Sequence, residues 1–298
     1  MTPSLSVQVV VFDNSLAELQ RLVSGISATV RHARAASAVD VVAIAIGDAS
    51  ANPSLTDPEI DLLRGAVGPH VDISYEFFGE NLGSGGGSNR LMERSDSDLI
   101  WVLNPDTVPA PNALGELVAA LQPEDVAAVD ARQLPIESPK GFDPETGDAA
   151  WVSGACLLMK RAAATAVDGF DAHFFPMYCD DVDLSWRLRL TGWRVRHAPT
   201  AVIFHDKRLG ADGRPLASDF EHESGMLSRL FLAHRYDRPD VVQTTLAWVD
   251  EHGTDAHRRA VVTYRARLDA GDVPKPIADP TGVADLDTDY YGPSRFRY

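Results

Sequence analysis

VQVVVFDNSLAE, residues Val7–Glu18, changes its period half-way, and that change decides the fold. Val7–Phe12 is a nearly continuous apolar, β-branched run, the pattern of a strand buried on both faces. Asp13 and Asn14 break it, and Ser15 with Glu18 three residues on forms a capping box that opens a helix, predicted to run to about His32. The pattern recurs. Val39–Ile46, Val71–Phe78 and Asp98–Leu103 are further apolar runs, each followed by Gly or Asn. Strands alternating with helices predict an α/β fold with a mostly parallel sheet, on which ligands gather at the carboxyl ends of the strands. Asp13, Asp48, Asn81 and Asp106 all fall there.

From about Trp151 the pattern becomes mixed. Trp151–Lys160 reads as a strand, Asp180–Gly192 as a helix closed by Gly192, and Ala201–His205 as a strand ending in His. A polar, glycine-containing link after Lys207 leads into helical patterns over Phe220–Tyr236, Pro239–Glu251 and Asp255–Asp269. The tail carries Tyr290, Tyr291, Phe296 and Tyr298 and is expected to be a coil that packs back onto the protein.

The 298 residues, 45% apolar and 23% charged, are ordinary for a globular protein with a substantial core. A formal charge of -16, from 27 basic and 43 acidic residues, opposes binding to nucleic acid or anionic lipid through bulk electrostatics. Any bound phosphate must then be held locally, by backbone amides, a metal ion or a few placed cations. The N-terminus predicts no targeting segment, and no stretch reaches the roughly 18 apolar residues of a membrane span. The expectation is a cytoplasmic protein, or one peripheral at the inner face of a membrane. Cys156 and Cys179 are expected to be packed thiols.

Three stretches carry candidate chemistry. In NLGSGGGSNR (Asn81–Arg90) four glycines in five positions let backbone approach a ligand, yet the sequence fits neither a dinucleotide fingerprint nor a phosphate loop. It reads as a loop between a strand and a helix, either a plain surface loop or one touching ligand. LNPDT (Leu103–Thr107) is a good turn sequence in its own right. Asp106, together with His205 at another strand end, also has the oxygen and imidazole donors of a sparse divalent-metal site. Asp180, Asp181 and Asp183 open a helix, where acids are favoured by the dipole alone, and Asp183 and Arg187 are spaced as an ordinary i, i+4 pair. A carboxylate at such a rim can also deprotonate a bound hydroxyl.

The order of these motifs resembles the nucleotide-diphospho-sugar transferases of glycosyltransferase family 2, which have the GT-A fold. The matching segments are VVVFDNS, GDAS, ENLGSGGGSNR, LNPDT, WVSGACLLMKR, GFDAHFFPMYCDDVDLSWRLRLTGWRV and HAPTAVIFH, over about residues 7–205. The resemblance implies a GT-A-type mixed, mostly parallel sheet flanked by helices, with a Rossmann-like nucleotide-binding half over residues 1–106. It places an acceptor and catalytic half over 107–206 and a C-terminal helical extension and tail over 207–298, open to acceptor binding, homodimer formation or simple packing.

By the same resemblance Phe12, Asn14, Asp48, Asn81, Gly83, Asn104 and Asp106 would bind the donor nucleotide, Asp48 at its pyrimidine. Asp106 and His205 would hold Mg²⁺ or Mn²⁺, and Asn104 stands where relatives carry the first acid of an Asp-x-Asp motif. Trp151, Gly154, Asp180 and Arg187 would contact acceptor or sugar, and Asp181 would be the catalytic base of an inverting transfer. The relatives with Asn-Pro-Asp include rhamnosyl- and galactofuranosyl-transferases of bacterial cell-surface glycans. They imply a TDP- or UDP-sugar donor and a saccharide or lipid-linked acceptor. Two alternatives stand beside this: a non-catalytic sugar- or partner-binding relative, favoured by Asn104, and a sugar-phosphate nucleotidyltransferase. The latter's glycine-rich loop would directly follow the first strand, where FDNSLAEL has no glycine.

Overall fold

Leu5, Val7, Val9 and Val11 are all buried, and so are Ser6 and Gln8 between them, because the first strand lies inside the sheet with both faces covered. The computed structural model describes residues 2–68, 71–138, 140–207, 209–211, 213, 216–286 and 291. In chain order the elements are β1 (Leu5–Val11), α1 (Leu16–Ala35), β2 (Val42–Asp48), α2 (Asp57–Ala66), β3 (Val71–Phe77), α3 (Gly83–Glu93), β4 (Leu99–Leu103) and β5 (Thr107–Pro109). There follow α4 (Ala113–Leu121), β6 (Val126–Leu134), β7 (Cys156–Lys160), α5 (Arg161–Ala166), α6 (Asp180–Leu190) and β8 (Arg194–His205). The C-terminal helices are α7 (Asp219–Arg235), α8 (Pro239–His252) and α9 (Asp255–Asp269). Of the aromatic tail only Tyr291 falls within the described residues; Tyr290, Phe296 and Tyr298 lie outside them.

The capping box that starts α1 is formed: the Glu18 amide donates to Ser15 Oγ at 3.4 Å, and the Ser15 amide donates to Glu18 Oε2 at 2.7 Å. Among the described residues the strands form one eight-stranded sheet in the order β3-β2-β1-β4-β7-β6-β8-β5. The first four are parallel to one another, β7 runs antiparallel to β4 and β6, and β8 is parallel to β6. The predicted strand from Trp151 begins only at Cys156, because the amides of Ser153 and Gly154 are engaged by carboxylates rather than by a neighbouring strand.

The sheet is strongly curved, and connectivity alone requires it. β4 and β5 are joined by Asn104–Asp106, yet β7, β6 and β8 stand between them in the sheet. Leu103 to Thr107 is four residue steps, at most about 14 Å when fully extended. Four strand spacings in a flat sheet would need about 19 Å. The sheet therefore bends until the carboxyl ends of β4 and β8 approach, helped by a register shift between Ala131 and Arg132 on β6. Thr107 pairs with His205, which brings the Asn-Pro-Asp turn to the end of β8.

One large core lies between the sheet and α1, α2 and α4. α6 explains how the rest is attached. Leu184 and Leu188, four apart, face the sheet, while Val182 and Trp186 on another face join the core of the C-terminal helices. Trp186 packs edge-on against Tyr236 at 4.9 Å between ring centres. Both cysteines are buried; Cys156 Sγ accepts from Trp101 Nε1 at 3.3 Å, and burial pushes its thiol up to about 12. No helix among the described residues is long and apolar enough to cross a membrane.

Candidate active site

Asp106 and His205 meet at the carboxyl end of the curved sheet, with Oδ2 of the acid 3.3 Å from Nε2 of the imidazole. The Asp206 amide donates to the Asp106 carbonyl at 2.9 Å, which ties the turn to the end of β8. The other imidazole nitrogen, Nδ1, is 2.8 Å from Gln133 Oε1, so Nε2 is the nitrogen that faces Asp106. This donor pair fits a hard divalent cation of incomplete protein coordination. Among the described residues no three His, Cys, Asp or Glu side chains converge as a metal cage. The remaining positions would be open to phosphate oxygens and water. Lys207, which sequence reasoning missed, is close enough for its charge to interact with Asp106, and burial lowers its pKa. A groove of about 240 Å³ runs alongside, lined by Arg21, Pro105, Leu134, Pro135, Phe204 and His205 among others.

Ser153, Gly154 and Ala155 connect this site to the acid pair. The Ala155 carbonyl accepts from the Asn104 amide at 3.1 Å, and the Gly154 amide donates to Asp181 Oδ2 at 2.8 Å. The Ser153 amide donates to Asp130 Oδ2 at 2.7 Å, and Ser153 Oγ accepts from Gln133 Nε2 at 2.9 Å. Thus three consecutive residues hold the Asn-Pro-Asp turn, the acid pair and a buried polar cluster. Asp130 in that cluster is bonded to Lys140 and, at 2.9 Å, to His197 Nδ1. Burial acts to raise the Asp130 pKa, but Lys140 and His197 outweigh it and hold the carboxyl below its usual range. The Lys140 ammonium also lies 4.7 Å from the Trp151 ring.

Asp180 and Asp181 open α6 after Tyr178 and Cys179, two consecutive residues with φ of 64° and 59°. Such left-handed backbone is costly for residues other than glycine and recurs at functional turns. The two carboxylates diverge. Asp181 accepts from the amides of Gly154 and of its own neighbour Val182, each at 2.8 Å, while Asp180 Oδ2 accepts from Ser84 Oγ at 3.0 Å. Burial, with the Asp181 charge beside it, pushes Asp180 up to about 7; burial also raises Asp181, against its two amide donors.

One expectation is corrected. The glycine-rich stretch is not a loop: Gly83 starts α3, and its glycines make room for packing. A Cβ on Gly83 would lie 2.2 Å from the Pro176 carbonyl oxygen, one on Gly85 3.0 Å from Phe170 Cβ, and one on Gly87 2.7 Å from Val10. Asn81 Oδ1 accepts from the Gly83 amide at 3.0 Å and so caps this entry. Arg187 is directed inward, with Nε donating to Asp183 Oδ2 at 2.7 Å and its other nitrogens bonded to the carbonyls of Val167 and Gly169. Its guanidinium is engaged within the fold, between α6 and residues 167–169. Asp48 is fully buried and its carboxylate accepts from the Ser50 and Ser54 amides at 2.9 and 2.6 Å and from the Tyr75 hydroxyl. Its carboxylate therefore shapes the 50–54 loop. Asn14 Oδ1 accepts from the Phe12 amide at 3.0 Å, and the Phe12 ring is 53% exposed just past the end of β1.

Residues 52–182, which contain the Asn-Pro-Asp turn, Ser153–Ala155 and the acid pair, match the family model "Glycosyl transferase family 2". That match covers somewhat less than half of the chain and makes it similar to the family over its central segment. A stretch of 95 residues is 36% identical to the N-acetylglucosaminyl-diphospho-decaprenol L-rhamnosyltransferase of Mycobacterium tuberculosis (strain CDC 1551 / Oshkosh), covering 32% of this chain. The match spans 30% of that relative's length. The architecture is the GT-A fold. It is similar, at TM-score 0.58 and 15% identity, to the mannosyltransferase PcManGT from Pyrobaculum calidifontis in complex with GDP-Man and Mn²⁺, over 91% of this chain and 76% of that one. It is similar, at TM-score 0.62 and 12% identity, to GalNAc-T7 with UDP, GalNAc and Mn²⁺, over 93% of this chain and 60% of that one.

Proposed function

We propose that this protein is an inverting glycosyltransferase. It would move a sugar from a TDP- or UDP-sugar, rhamnose first among the candidates, to a hydroxyl of a saccharide or lipid-linked acceptor. The observation that carries the reading is the Ser153–Ala155 segment, which holds Asp181 on one side and the Asn104–Asp106 turn on the other. That arrangement supports a donor diphosphate at the turn and an acceptor hydroxyl at the acid pair. Residues 1–106 would then bind donor and 107–206 acceptor, with 207–298 packing the acceptor side.

In this mechanism Phe12 stacks on the base, and the loop organised by Asp48 reads its edge. Asp106 and His205 would hold Mg²⁺ or Mn²⁺, which supplies charge stabilisation to the departing diphosphate. Asn104, neutral where an acid is usual, removes one negative charge from that cluster, and Lys207 adds a positive one. Asp181 receives the proton of the attacking hydroxyl; its carboxylate is held in one orientation by two amide donors, so little reorganisation accompanies the transfer. A single displacement inverts the anomeric carbon.

The test is calorimetric titration with UDP and TDP, each with Mn²⁺ and again with EDTA, followed by donor turnover in Asp181→Asn. Metal-dependent binding of one nucleotide, retained in Asp181→Asn while turnover falls about 1,000-fold or more, supports the reading. Near-normal turnover in Asp181→Asn overturns the base. Nucleotide binding without any turnover points to the non-catalytic reading that Asn104 favours.

A further inference from the structure

Gln133 is 2% exposed, sits on β6 opposite Ile203, and so shares a face with His205 two residues along β8. Its amide is locked at both ends. Gln133 Nε2 donates to Ser153 Oγ at 2.9 Å, an oxygen that also accepts from the Ala155 amide at 3.4 Å, and Oε1 is 2.8 Å from His205 Nδ1. Ser153 is held in turn, since its own amide donates to Asp130, which is bonded to Lys140 and His197. With the amide NH₂ turned toward Ser153, only a carbonyl lone pair is presented to the imidazole. Nδ1 must then carry the hydrogen, because two facing lone pairs in a buried site would leave a carbonyl without a donor. A neutral imidazole has one N–H, so the lone pair is on Nε2; it and Asp106 Oδ2, 3.3 Å apart, are then two acceptors that a cation between them would reconcile.

We propose that Gln133 is a positioning residue that fixes His205 as the Nδ1–H tautomer and so makes Nε2 a ready ligand for a divalent cation shared with Asp106. The ligand role rests on the metal site of the proposed function; the tautomer does not. Second partners of this kind orient a ligating imidazole and raise its basicity, and their loss weakens metal binding about 10- to 100-fold.

The test uses ¹⁵N-histidine-labelled full-length protein, with the His205 ring signals assigned by their absence in His205→Asn. Long-range ¹H–¹⁵N spectra at pH 8 in Mg²⁺ should show the Nδ1–H form in the wild-type protein. Mn²⁺ should broaden the His205 ring at low concentration, and Gln133→Met should need about 10- to 100-fold more Mn²⁺ for the same broadening. Gln133→Glu, which still accepts from Nδ1–H, should need no more Mn²⁺ than the wild-type protein. An Nε2–H tautomer in the wild-type protein overturns the proposal, as does wild-type Mn²⁺ response in a folded Gln133→Met. Should Gln133→Met not fold, the wild-type tautomer decides. A wild-type ring untouched by Mn²⁺, with signals in the Nδ1–H form, overturns the ligand role and the metal site together.

Discussion

Ser84 Oγ donates to Asp180 Oδ2 at 3.0 Å, across 96 residues of sequence. The bond joins α3, which follows β3, to α6, which carries the acid pair. Asp180 is the member of that pair pushed up to about 7, by burial and by the neighbouring Asp181, and Ser84 is its principal opposing donor. Ser84→Ala should therefore raise the Asp180 midpoint further, by about half a unit to one unit. Titration of ¹³C-labelled aspartate carboxyls checks this; an unmoved midpoint would show that the hydroxyl does not act on the charged form.

The same group makes stability depend on pH. Its folded pKa, about 7, lies above the ordinary aspartate value of 3.8 of the unfolded chain, so the folded chain holds an extra proton between those limits. Stability contributed through this group is full below about pH 4 and is lost as pH rises toward 7. Asp180→Asn removes the titrating group. Its Tm should exceed that of the wild-type protein at pH 8 and match it near pH 4, by circular dichroism at both values.

Arg235 is bonded to Asp183 Oδ1 at 2.9 Å and to Asp171, and Asp183 also takes Arg187 at 2.7 Å. These charges are nearly or fully buried and tie α6 to α7. Arg235→Met would leave Asp183 short of a partner in the core. The expected loss is about 3–5 kcal/mol in urea unfolding. A loss under 1 kcal/mol would mean that Arg187 alone satisfies Asp183.

Gly83→Ala should be far worse than Gly86→Ala. The first places a Cβ 2.2 Å from the Pro176 carbonyl oxygen at a φ of +67°, whereas the second meets only the Cβ atoms of Ala172 and Leu82 at 3.2 Å. Pro176 must move, and with it the strained turn that presents Asp180 and Asp181. Gly83→Ala is expected to cost about 2 kcal/mol or more and to lower donor turnover at least tenfold, with Gly86→Ala near neutral. Equal effects of the two substitutions would refute the close approach as the cause.

What was legible in the sequence followed the strength of local pattern. The buried run at Val7 and the Ser15–Glu18 box specified strand and helix because both signals are short-range. The Asp183–Arg187 spacing likewise gave the pair that forms, where the resemblance alone assigned Arg187 to an acceptor. α3 was misread because each glycine lowers helix propensity by about 1 kcal/mol. The compensation comes from Val10, Phe170 and Pro176, far away in sequence. Gln133 and Lys140 carried no signal at all: one is a lone polar residue in a strand, the other a lysine in a connecting segment. Their roles exist only where β6, β8 and Ser153–Ala155 converge.

The bend of the sheet sets a rule of length for the Asn104–Asp106 turn. Because the chain between Leu103 and Thr107 is shorter than the flat-sheet distance it would have to cross, the turn acts as a tether under geometric constraint, not as a replaceable connector. Adding one residue would lengthen the tether by about 3.5 Å. β5 could then slip along β8 by one position and turn Thr107 away from His205. Grafting the Asn-Pro-Asp turn onto a flatter sheet would carry over its residues without the encounter that gives them meaning.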